Sequence, residues 1–154
     1  MEMKTIISLL SVFILFAATT AAQADGGLIN LPSQFNVQKT ADRFVAAAEK
    51  AGLKIFARID HAAGAAKVEK SLRPTQLIIF GSPKVGTALM TSDQRAGIDL
   101  PLKALAWQDA EGKVWLSYNS PDYLFSRFGI EDRAPVKKKV TGALAKLAKA
   151  ATQP

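Results

Sequence analysis

Apolar positions follow two rhythms along this chain of 154 residues, one of two and one of three to four. The plainest feature is an uninterrupted run, Leu77-Ile78-Ile79-Phe80, closed by Gly81 and followed by the loop Ser82-Pro83-Lys84-Val85-Gly86-Thr87. A short apolar run without polar alternation predicts a strand buried on both faces, and so the central strand of a sheet. Upstream, Phe35, Val37 and Lys39 alternate with Asn36 and Gln38, which predicts a first strand with one wet face. Thr40 is then placed to cap a helix over Ala41 to Ala51, with Ala41, Phe44, Val45 and Ala48 on one face and Gly52 as its stop. Lys54 to His61 reads as the second strand. Ile55, Ala57 and Ile59 share a face in it, and His61 keeps their parity, so it is expected to point inward while Arg58 and Asp60 point away.

Ala62 to Leu72 predicts a short alanine-rich helix ended by Pro74, and Pro83 to Pro101 a compact stretch with helical turns at 83–90 and 92–97. Leu102 to Asp109 and Val114 to Ser120 form a hairpin about Asp109-Ala110-Glu111-Gly112, with Trp107 and Trp115 packing across it. Ser120-Pro121-Asp122 is a helix start: a capping hydroxyl, a proline at the first turn, and an acid at the positive end of the dipole. That helix stops near Gly129. The last helix, Ala134 to Ala151, has an apolar stripe of Val136, Val140, Leu144, Leu147, Ala148 and Ala151, with Lys137, Lys138, Lys139, Lys146 and Lys149 away from it. The order predicts a two-layer α+β domain, an antiparallel or mixed sheet of four to five strands with helices on one face.

Composition narrows the chemistry. There is no cysteine, which rules out disulfides and thiolate chemistry, and one histidine, which rules out a multi-histidine metal site within one chain. The net charge of +7 allows anionic partners. Compartment decides among them. Lys4, an apolar run from Ile6 to Ala18 and the small residues ending Ala22-Gln23-Ala24 have the layout of a secretory signal cleaved after Ala24. The run is short for a membrane span, which takes about 20 residues. The expected organisation is a signal at 1–24, a mobile lead-in with some extended structure at 25–34, and one domain at 35–154. The expected location is periplasmic or secreted, with no stable membrane span once the signal is removed. The C-terminal lysines then read as a solvated face and not as a nucleic-acid site.

Several blocks carry a resemblance. Arg58-Ile59-Asp60-His61, Arg73 through Lys84, Gly86-Thr87 with Leu89-Met90, Asp99 to Lys103, and Val114 to Asn119 resemble, in that order, the bacterial domain of unknown function 302 family (DUF302). The resemblance covers about Phe35 to Ile130. It implies a small α+β fold similar to the TATA-binding-protein-like arrangement, and often a homodimer. It implies no reaction, and cofactors stay unknown.

Three groups of residues are candidates for a site. His61 could bind a ligand or a metal, or move a proton; its structural counterpart is a buried, hydrogen-bonded histidine. Lys84 and Thr87 lie in a glycine-bearing loop after a strand, where free N–H groups favour an anion, although the loop lacks the P-loop lysine and hydroxyl after its second glycine. Lys103, Tyr118 and Asn119 come from the hairpin and could line a polar pocket with His61. Tyr118 and Asn119 face opposite ways on a strand, so one of them at most is expected there. No serine elbow or carboxylate pair is present by spacing. The expectation is an exported, non-enzymatic binding or interaction module for a small anionic ligand or metal. The alternative is an enzyme acting on a small anionic metabolite with His61 as acid or base.

Overall fold

A computed structural model describes residues 23–154; the predicted signal lies almost wholly outside them. Six strands form one antiparallel sheet: β1 (Gln23–Asp25), β2 (Leu28–Pro32), β3 (Lys54–Asp60), β4 (Thr75–Gly81), β5 (Leu102–Gln108) and β6 (Val114–Asn119), in the spatial order β1-β2-β6-β5-β4-β3. The described residues also form five helices, α1 (Val37–Lys50), α2 (His61–Ala66), α3 (Pro83–Met90), α4 (Pro121–Arg127) and α5 (Ala134–Thr152), with a 3-10 turn at Gln94–Ile98. The result is the expected α+β class, with six strands instead of four to five: β2 lies within the predicted lead-in, and β1 straddles the predicted cleavage point. Gly26 and Gly27, at φ of 53° and 92°, make the tight turn between β1 and β2; two successive positive φ angles match the twist of a two-residue hairpin. The backbone N–H of Ser120 donates to the Gly27 carbonyl at 2.8 Å, and that of Ser33 to the Val114 carbonyl at 2.8 Å. These bonds tie the segment to the domain.

The predicted first strand at Phe35 to Lys39 is instead the start of a helix. Asn36 caps it, its side chain accepting the Lys39 N–H at 2.8 Å, and Val37, Thr40, Ala41, Phe44 and Ala48 become the buried stripe. Five alternating residues fit a strand, but Asn36 followed by this stripe fits a helix, and burial of the stripe decides. Thr40, expected as the cap, lies one turn inside, where its hydroxyl meets Ser33 Oγ at 2.7 Å and donates to the Asn36 carbonyl at 2.9 Å.

The core lies between the helices and one face of the sheet. Phe44 of α1 meets Phe80 of β4 edge-on, with ring centroids 4.9 Å apart. Ile78, Ala104, Ala106, Leu116 and Tyr118 continue that face, and Val140, Leu144, Leu147, Ala148 and Ala151 of α5 close over it. A smaller cluster of Leu89, Ala96, Leu124, Phe125 and Ile130 joins α3, the 3-10 turn and α4. β4 is next to the edge strand and not central, and it is buried on one face only. Gln76, Ile78 and Phe80 are covered, while Leu77 and Ile79 are half-buried on the open face beside Leu105, Trp107 and Trp115. Neighbouring apolar side chains, not a second layer, shelter that face. The expected tryptophan pair stacks there, with centroids 6.4 Å apart.

Candidate functional site

The parity argument for His61 fails at Phe56. Ile55 pairs with Phe80 and Ala57 with Ile79, so Phe56 is an extra residue in β3, a β-bulge. The bulge reverses every side chain after it. Ile55 stays on the core side, Ala57 and Ile59 turn to the open face, and Arg58 turns to the helix side. There Arg58 donates from Nη1 to Asp42 Oδ1 at 2.6 Å and from Nε to Gln76 Oε1 at 2.8 Å. The strand then ends. Asp60 caps α2, accepting the Ala63 N–H at 2.9 Å, and His61 is the exposed first residue of that helix. Among the described residues no three His, Asp or Glu side chains gather as a metal site would. The expected inward direction of His61 does not fit this geometry.

Lys103, Tyr118 and Asn119 do come together, with Asp99, Leu102, Leu124 and Leu144, but around a cleft of only about 10 Å³. That is about the space of one water. Two of its polar residues are already engaged: Lys103 Nζ donates to the Asp99 carbonyl at 3.0 Å, and Arg127 Nη1 to the Asp99 carboxylate at 3.0 Å. Burial raises the pKa of the Tyr118 phenol and keeps it neutral. His61 does not line this cleft.

Space for a ligand lies next to this cleft, sharing Leu102 and Leu144 with it, between the ends of β3 and β4, α3 and α5. This pocket measures about 490 Å³, within the range of about 300–1,000 Å³ usual for small-molecule sites. Phe80, Leu102, Val140, Leu144 and Leu147 form its floor, Leu100 and Pro101 one wall, and Phe56 and Met90 its rim. The bulge places Phe56 here, 46% exposed. Glycines keep the walls thin: a Cβ on Gly86 would lie 3.8 Å from Leu100 Cδ1 and from Met90 Cε, and one on Gly97 would lie 3.2 Å from Met90 Sδ. Lys84 and Thr87, two of the predicted site residues, line this pocket, and Lys139 faces them from α5. Phe56, Met90 and Lys139 were not foreseen. They come from separate elements, and Lys139 reads in sequence as one more solvated lysine.

An antiparallel sheet with helices on one face and a largely apolar, lysine-bordered pocket at its edge make this a small two-layer α+β domain. The chain matches the family described as "Domain of unknown function DUF302" over residues 29–151, and it belongs to that family. It is similar to the protein named "Fluoride-specific ion channel FluC 1" of Brucella suis biovar 1 (strain 1330), at 44% identity over 124 residues, covering 79% of this chain and 49% of that protein. The namesake in Brucella abortus biovar 1 (strain 9-941) is also 44% identical over 124 residues, which is 46% of its length. The chain therefore spans about half the length of the curated relatives it matches. Among solved structures, an uncharacterized conserved protein DUF302 from Bacillus stearothermophilus superposes with a TM-score of 0.73 at 12% identity, covering 82% of this chain and 99% of that one. That likeness concerns the fold alone.

Proposed function

We propose that this protein is an exported, non-enzymatic binding module for a small molecule, and that its site is the pocket bounded by Phe56, α3 and α5. The pocket itself carries the reading. It is large enough for a ligand, it is open at a rim of Phe56 and Met90, and its apolar lining releases water when filled. Of the residues expected from the sequence to form a site, Lys84 and Thr87 line it, and His61 stands elsewhere. The relatives named fluoride-specific ion channels match this chain over about half of their length, which fits a module joined in them to a further segment. Among the described residues of this chain no helix is long and apolar enough to cross a membrane.

Native against denaturing mass spectrometry of the protein taken from its producing cells tests the reading. Extra mass is expected in the native spectrum, lost on denaturation and absent from Ala143→Trp, which fills the mouth from an exposed helix position. A native mass equal to the bare chain in both proteins, with no ligand taken up on addition, would reject the pocket as a binding site.

A further inference from the structure

We infer that the ligand is an amphipathic anion, an apolar body carrying one negatively charged head; this rests on the pocket being the binding site. The two ionisable side chains lining the pocket, Lys84 at the start of α3 and Lys139 on α5, are both cations, and no carboxylate lines it. Asp42, Asp93, Asp99, Asp122 and Asp132 are paired with arginines or Lys137 elsewhere. Neither Lys84 nor Lys139 makes a hydrogen bond or ion pair among the described residues. Each carries a compact charge on a flexible apolar stem, which can lie along the rim while the ammonium reaches a headgroup. Lysine is a point charge and sets no planar two-pronged geometry, so the site selects the sign of the head more than its shape. Below the rim the lining is aliphatic and aromatic, and Met90 adapts to irregular apolar bodies. A purely polar anion leaves that surface unused, and a neutral hydrocarbon leaves both lysines without a partner. An apolar body with one anionic head satisfies both.

Calorimetric titration with straight-chain probes below their micelle concentrations tests this. Octanoate, decanoate and dodecanoate are expected to bind one to one, about fourfold more tightly for each methylene buried until the pocket is full. Decyltrimethylammonium, of the same body and opposite charge, is expected to bind at least about tenfold more weakly than decanoate. The double variant Lys84→Gln/Lys139→Gln is expected to lose about tenfold in decanoate affinity, the usual size of one charged hydrogen bond, while keeping its affinity for decanol. Both lysines are exposed, so the variant folds, and its melting curve checks that. Equal binding of decanoate and the cation, unchanged in the double variant, would overturn the anionic head and leave the pocket standing. No binding of any probe to the wild-type chain would overturn the pocket as well. Protein that pellets with phosphatidylglycerol vesicles yet takes up no free alkanoate would also overturn the inference, in favour of a lipid surface.

Discussion

Gly27 shows how much one residue can hold in place. Its φ is 92°, and a Cβ there would lie 2.5 Å from Tyr123 Cδ2. Gly27→Ala therefore combines an unfavourable backbone region with a clash against α4, and the expected loss is about 1–3 kcal/mol, read from denaturant midpoints. Asp109 plays a related part in the β5–β6 turn. Its Oδ2 accepts the Trp115 indole N–H at 2.7 Å and its Oδ1 accepts the Lys113 N–H at 2.8 Å. The indole bond, and then the backbone bonds, hold its pKa below the usual carboxylate value. A lowered folded-state pKa gives stability that is present above the unfolded value of about 3.9 and lost as pH falls through the folded one. Tryptophan emission is accordingly expected to change below about pH 4, and Asp109→Asn is expected to remove that acid transition. At this scale the sequence is a partial guide. The capping role of Ser120 and the packing of Trp107 on Trp115 are legible because neighbours a few positions away create them. The direction of His61 is not legible, because one extra residue at Phe56 reverses the parity and no local signal marks it.

Helices and strands in the second half of the chain follow their local signals closely. The hairpin, α4 and α5 occur where alternation, turn residues, caps and a long apolar stripe predict them, and tertiary packing agrees with each. The first third differs because two local readings compete there. Phe35 to Lys39 alternates, but Asn36 caps and the stripe from Val37 to Ala48 needs a helix to be buried. The pocket was hardly legible at the scale of elements, since its lining is gathered from β3, β4, α3, the 97–102 segment and α5; only the glycine loop hinted at it. α5 also carries a position open to improvement. Gly142 is exposed, lies inside the helix, and has nothing within 4 Å of where a Cβ would stand. Gly142→Ala is expected to add up to about 1 kcal/mol of stability, seen as a higher melting temperature with ligand binding unchanged.

The molecule as a whole depends on its N-terminal strands more than the glycines of that segment suggest. β2 pairs with β6 along its full length, and Ile29 and Leu31 pack against the main core. A chain beginning at Asp25, as signal cleavage after Ala24 would produce, keeps β2 whole and is expected to unfold in one cooperative transition. A chain beginning at Gln34 loses β2 and two core side chains. It is expected to be less stable by about 3 kcal/mol or more, measured by urea unfolding of the two chains side by side.

The bulge at Phe56 also bears on solubility. β3 ends the sheet, so among the described residues one side of its backbone has no strand partner. A flat edge of that kind templates the addition of further chains, and natural sheets guard against this with bulges and charges. β3 has both: the extra residue breaks its hydrogen-bonding rhythm, and Lys54, Arg58 and Asp60 interrupt its apolar positions. Deleting Phe56 would straighten the strand and present a regular edge beside an apolar open face. Such a chain would be prone to aggregate, so the residue that borders the pocket also helps keep the protein in solution.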